Sequence, residues 1–402
     1  MMGAQCVSVL TDSYPIIMQT QNLRTPTMRT HSPFPAPFHS STHLPAGFLR
    51  TRFSRLCLAS AALACLTIGL APLGFAGVFQ NPEKASEHPD FAYQGEFLGN
   101  VILEDETEPT RVGIQLAARG DGKFEGFVYP GGLPGDGWTP EDGGRESITA
   151  QRTDDHVQTE SFRGVTFRNE DGGLVGRDEE DTERGVLERV VRTSPTEGKA
   201  PIDEAIVLFD GSNVDKWQDG AKIVEDDLLE QGARSADHYG DMYLHLEFRP
   251  GFMPNAGGER RANSGVYIQN RYEVQILDSF AMPDNASMNA ALYKEKAPKL
   301  NMSFPPLQWQ TYDIFFRAPR FDDEGEKTEN TRITVFHNGV LVHDDAELKS
   351  GTGVGGGREE VPKEHIWLQN HTGPIYFRNV WLVEDPDAAE SALKALKAAS
   401  TP

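Results

Sequence analysis

Residues 263–279 read NSGVYIQNRYEVQILDS, and the alternation inside this stretch decides how the surrounding chain folds. Val266 to Gln269 and Tyr272 to Ile276 are strand-length runs rich in β-branched and aromatic residues. In the second run Val274 and Ile276 take the core side, which leaves Glu273 and Gln275 together on the opposite face. Asp278, an odd number of residues from Glu273, points the other way unless a bulge near Leu277 returns it. The first run repeats the pattern, with Asn263, Tyr267 and Gln269 alternating against Ser264, Val266 and Ile268. A third segment sets Trp367, Gln369 and His371 against Ile366 and Leu368.

Outward from this stretch the pattern persists. Met242, Leu244, Leu246 and Phe248 alternate with Tyr243, His245 and Glu247, as in a half-buried strand. Tyr312 to Arg317, Ile333 to His337 and Ile375 to Val383 add strands. Asn338-Gly339 is a strong hairpin signal, because a type I′ turn needs positive φ at both central residues. These strands predict an all-β, jelly-roll sandwich over residues 202–385. Earlier in the chain, Val112 to Ala117, Lys123 to Tyr129, His156 to Ser161 and Gly185 to Val191 are separated by turns such as Gly120-Asp121-Gly122. They predict a smaller antiparallel β domain over residues 77–192. Residues 193–201, with two prolines and a glycine, read as a linker, and residues 386–402 as a tail or short, weakly held helix.

Residues 1–76 read as a leader. Arg50, Arg52 and Arg55 precede an apolar run from Leu56 to Leu70, and Gly74-Phe75-Ala76 offers small residues at a cleavage position. The run is shorter than the roughly 20 residues a spanning helix needs. Export to a periplasmic or extracellular compartment is expected, with no stable membrane insertion after processing. All three cysteines, Cys6, Cys57 and Cys65, fall in this leader, so the processed chain is expected to carry no thiol. The 402-residue chain has a formal net charge of −22 and no basic stripe beyond the leader, which argues against nucleic acid as a partner.

Six segments occur in order: IVLFDGSNVDKW (206–217), DMYLHLEFR (241–249), residues 263–279, ALYKEKAPKLNMSFPPLQWQTYDIFF (291–316), VFHNGVLVHD (335–344) and IWLQNHTGPIYFRNVWLVE (366–384). Together they resemble the 3-keto-disaccharide hydrolase domain, a family abundant in secreted bacterial proteins. The resemblance implies a concanavalin-like jelly roll and an exported hydrolase acting on 3-keto-disaccharides or other 3-keto-glycosides. The segment GDGKFEGFVYPGGLPGDGW (120–138) resembles a small β domain that often precedes this one in planctomycete-type bacteria.

The spacing of Glu273, Gln275 and Asp278 also resembles the acid-bearing strand of concanavalin-like β-glucanases. Glu273, His371 and Asp278 are therefore the expected catalytic groups. Asn263, Tyr267, Gln275, Trp367, Gln369 and Arg378 are the expected substrate contacts, since a sugar needs many hydrogen bonds and an aromatic plate. Elimination across C1–C2 followed by hydration is the expected route. Two alternatives stand beside it: a conventional two-carboxylate glycoside hydrolase and a non-catalytic carbohydrate-binding module. Gly351, Gly353 and Gly356 fit Gly-x-Gly-x-x-Gly, but without a strand-to-helix unit they read as a loop. No cofactor is evident. No standard metal spacing is present either, and a divalent cation held by distant loops stays open.

Overall fold

The alternating runs between Tyr93 and Val191 close on themselves. The computed structural model describes residues 77–400 except 105 and 155; the leader with its apolar run lies outside the described residues. Eight strands, β1 (Gly95–Val101), β2 (Thr110–Ala118), β3 (Lys123–Pro130), β4 (Glu146–Arg152), β5 (Val157–Thr159), β6 (Thr166–Glu170), β7 (Gly173–Arg177) and β8 (Glu183–Val190), pair in chain order. β8 then pairs with β1, from Glu96 opposite Val190 to Val101 opposite Gly185, so the meander becomes a closed barrel. Closure removes the unpaired edges that an open sheet of this size would expose. Its interior is filled by Phe97, Ile114, Leu116, Phe124, Val128, Ile148, Phe167 and Leu187.

The second half is the sandwich. Its strands are β9 (Ile206–Phe209), β10 (Ile223–Val224), β11 (Leu228–Glu230), β12 (Met242–Pro250), β13 (Asn263–Ile268), β14 (Tyr272–Leu277), β15 (Gln310–Arg317), β16 (Thr331–His337), β17 (Val340–Leu348), β18 (Trp367–Leu368) and β19 (Ile375–Val383). The larger sheet runs β10-β11-β19-β12-β15-β16-β17, with β9 also on β19. The smaller sheet is β14-β13-β18. Leu244, Leu246, Phe248, Ile314, Phe316, Val335 and Leu382 from the larger sheet meet Val266, Ile268, Val274, Ile276 and Leu368 from the smaller one in a shared core. Asn338 (φ 49°) and Gly339 (φ 77°) make the predicted two-residue turn between β16 and β17.

Two expectations change. Residues 193–201 are not a free linker: Ser194 and Thr196 are buried against the outer face of the larger sheet, where Thr196 Oγ1 donates to Asp313 Oδ2 at 2.8 Å. Gly198 N–H donates to Glu247 Oε1 at 2.6 Å, and Glu197 pairs with Arg378 at 2.7 Å. The C-terminal helix, Pro386–Ala399, also docks there, packing Ala392, Leu393 and Leu396 near Tyr243, Phe336 and Trp381. The barrel joins in: Phe127, Tyr129, Leu133 and Trp138 contribute to the sandwich core, and Arg145 bridges to Asp284 at 2.9 Å.

The two halves therefore share apolar surface and should unfold together. Residues 202–384 alone would uncover His245, Glu247 and Asp313, which are buried in the whole chain. Calorimetry is expected to show one transition for residues 77–402 and, for the isolated segment, a melting temperature lower by about 10 °C, the size a loss of several kcal/mol gives. Two separate transitions in the longer chain would show that the halves are independent.

Candidate functional site

The polar face identified in the sequence lies on the smaller, three-stranded sheet. β13 and β14 pair with Tyr267 opposite Glu273, Gly265 opposite Gln275 and Asn263 opposite Leu277. On the other side of β13, Tyr267 pairs with Trp367, and Gln369 N–H donates to Gly265 O at 2.9 Å. A further segment runs along the free edge of β14: Gln275 N–H donates to Ala291 O at 2.9 Å and Tyr293 N–H to Glu273 O at 3.2 Å. Because side chains alternate across a strand, one outer row reads Trp367, Tyr267, Glu273 and Tyr293. The next reads Gln369, Gly265, Gln275 and Ala291. Gly265 lies between the two glutamines and leaves the space that the Glu273 side chain fills, and Ala291 lies beyond Gln275.

Glu273 is the electrostatic centre of this face. Its side chain is 2% exposed, and a Cβ on Gly265 would sit 2.4 Å from its Oε1, so only glycine leaves room for the carboxylate there. Burial pushes its carboxyl up to about 7, opposed by the Tyr267 hydroxyl, which donates to Oε2 at 2.5 Å. Glu259 pushes in the same direction as burial, and Lys294 against it. Burial beside this carboxylate drives the Tyr267 phenol upward, so the hydroxyl stays protonated and remains a donor. Trp367 lies against Tyr267, centroids 4.9 Å apart, with the Arg234 guanidinium 5.4 Å from the Trp367 ring centroid. Gln275 is 1% exposed; its Oε1 is buried without a hydrogen-bond partner among the described residues. The arrangement offers a proton acceptor poised near neutrality, a phenol donor, an aromatic ring and an amide with an unused acceptor.

The structure separates other expected residues from this group. Asp278 is on the far side of Leu277, where Arg261 Nη2 and Nε hold its Oδ2 at 2.5 and 3.0 Å. Both side chains are 1% exposed, so Asp278 balances a buried cation and does not join Glu273. Arg378 belongs to the larger sheet, where it pairs with Glu247 and Glu197 at 2.7 Å each and covers Trp309 at 4.0 Å. His371 lies two residues past Gln369, beyond the end of β18, with an exposed ring whose Nδ1 is 2.9 Å from Thr372 Oγ1. Register puts its Cα two strands and about four residues from that of Glu273, on the order of 15 Å. Asn263 stays on the edge of the face, its amide donating to Glu259 O at 2.8 Å. Gln269 leaves it: at φ 50° it enters the turn, and its amide donates to Pro362 O at 2.8 Å.

Residues not singled out from the sequence complete the surroundings. Tyr293 donates to Glu259 Oε2 at 3.1 Å, which places both beside Glu273. The glycine-rich segment closes over the carboxylate: Thr352 Oγ1 accepts from Glu273 N–H at 2.8 Å, and a Cβ on Gly353 would lie 2.6 Å from Glu273 Oε2. Its glycines permit this close approach, at φ 52° for Gly353. Tyr293 was detectable in principle, since it follows the core residue Leu292 within the ALYKEK motif.

The solved structures similar to this chain include three proteins of Parabacteroides distasonis ATCC 8503, each provisionally named a glycosyl hydrolase. One is 28% identical with a TM-score of 0.41, covering 46% of this chain and 84% of its own. Another is 14% identical with a TM-score of 0.35, over 48% and 98%. The third is 19% identical with a TM-score of 0.33, over 45% and 98%. A comparison with curated protein sequences returns no match. Residues 204–383, which hold both sheets and Glu273, match the family model of the 3-keto-alpha-glucoside-1,2-lyase-like domain.

Proposed function

We propose that the protein is an exported enzyme that cleaves 3-keto-glycosides by elimination across C1–C2 followed by hydration, with Glu273 as the base. A ketone at C3 acidifies the hydrogen on C2. The Glu273 carboxylate takes that proton, the electron pair forms the C1–C2 double bond through the enolate, and the C1–O bond breaks as the leaving oxygen receives a proton. Addition of water across the new double bond completes the net hydrolysis. The observation that supports this reading is a buried carboxyl raised to about 7 against a protonated tyrosine, a base suited to abstraction beside a ketone near neutral pH. Tyr267 fixes Oε2, and Gln275 and Gln369, in the strands on either side of Gly265, would contact the sugar ring. His371, on the order of 15 Å away by register, would meet the aglycone end of a disaccharide. The leader motivates the periplasmic or extracellular location.

The two-carboxylate alternative with Asp278 as the second acid is disfavoured, because Asp278 is paired with Arg261. Product analysis with a 3-keto-glucoside beside the unoxidised glucoside tests the proposal. Release of the aglycone from the ketone alone is expected; comparable cleavage of the unoxidised sugar would overturn it, and binding without turnover of either would favour the carbohydrate-binding alternative.

A further inference from the structure

Three side chains of ligand type converge at the edge of the smaller sheet, outside the Glu273 group. His238 Nε2 and His365 Nε2 stand 3.0 Å apart. Glu364 Oε1 is 3.4 Å from the first and 3.6 Å from the second. A transition-metal ion holds imidazole nitrogen at about 2.0–2.1 Å and carboxylate oxygen at about 2.0–2.2 Å, which sets neighbouring donors about 3.0–3.4 Å apart. The separations here follow the edges of such a polyhedron, with the longest only slightly stretched. Two imidazoles and one carboxylate also form a donor set suited to transition metals, whereas calcium and magnesium take oxygen.

The backbone holds these donors together without an ion. Tyr239 and Glu364 exchange both N–H···O bonds, at 3.0 and 3.2 Å, and Ser235 N–H donates to Ile366 O at 2.8 Å. His238 and the Glu364-His365 pair thus sit on two segments already zipped together. His365 N–H donates to Glu364 Oε1 at 3.0 Å and fixes the carboxylate toward the two nitrogens. The Gln218 amide, which donates to Ser235 O at 3.2 Å, also lies 3.1 Å from His365 Nε2, and an ion bound there would take that lone pair from it. His365 and Glu364 are 18% and 24% exposed and His238 51%, so the cluster opens to water on the His238 side.

We propose that His238, Glu364 and His365 form a mononuclear site for a divalent transition-metal ion of the Zn2+, Co2+ or Ni2+ type, with its remaining positions open to water. The ion would tie the 234–239 segment to the strand that carries Trp367, two residues beyond His365. The proposal does not depend on the reaction assigned to Glu273.

Metal analysis of the chelator-stripped full chain after dialysis against Zn2+ tests it. Close to one additional zinc per chain is expected relative to the His238→Ala/His365→Ala double variant; zinc held by the leader cysteines would persist in both. Co2+ should give visible absorption that the double variant loses, and Ca2+ should not displace it. Zinc should also raise the melting temperature of the wild type but not of the variant. His238→Ala alone, at a half-exposed position, guards against a folding defect: circular dichroism should be unchanged while zinc affinity falls at least about tenfold. Equal zinc content in wild type and double variant, or unchanged affinity in His238→Ala, would overturn the site.

Discussion

Glu273→Gln is expected to abolish turnover of a 3-keto-glycoside and, at the same time, to make the protein more stable relative to wild type as pH rises. Loss of a positioned general base costs about 10²–10⁴ in kcat, and the amide keeps the size of the side chain and an acceptor for the Tyr267 hydroxyl. The stability effect follows from linkage. The Glu273 carboxyl rises from 4.5 to about 7 in the folded chain, so the folded state binds the proton more tightly than the unfolded state. That contribution is fully present below the unfolded value and is lost as pH climbs through the folded one. A gap of this size amounts to about 3 kcal/mol at most. The difference in melting temperature, variant minus wild type, should therefore grow between pH 5 and pH 8, by about 4 °C or more. The wild-type kcat/KM should fall roughly tenfold per pH unit below 7 as the base protonates. An active variant, or a melting difference flat with pH, would remove Glu273 from the base role.

Alternation made much of this face legible. Val274, Ile276, Val266 and Leu368 occupy the core, and their neighbours Glu273, Gln275, Tyr267 and Trp367 share the opposite side. Periodicity carries no information about strand order, so it does not tell that the face belongs to the smaller sheet. The Gln269-Asn270 turn, with φ 50° and 57°, has the backbone that Asn338-Gly339 advertises by its glycine. Lacking a glycine, it left Gln269 looking like one more strand residue. Closure of the barrel and burial of Ser194 and Thr196 depend on contacts between segments far apart in sequence, and prolines and glycines report only local backbone. Glu259 and the Gly351–Gly357 loop reach Glu273 for the same reason.

The spacing of Asp278 suggests chemistry, and a partner seventeen residues earlier changes its meaning. Asp278→Asn should destabilise the protein by about 3–5 kcal/mol, because it leaves the Arg261 guanidinium buried without its counter-charge. Arg261→Met should cost a similar amount by stranding the carboxylate. Joint replacement, Arg261→Met with Asp278→Leu, should recover most of the loss, since an apolar pair of similar volume avoids desolvating either charge. Urea titrations of the three variants give these values. In Asp278→Asn, assayed at a temperature where circular dichroism shows the native fold, activity should stay within a few-fold of wild type. A hundredfold loss in a chain that is still folded would return Asp278 to the catalytic pair. The two-carboxylate mechanism would then have the second acid that the buried guanidinium denies it, and hydrolysis of unoxidised glycosides would become the activity to measure.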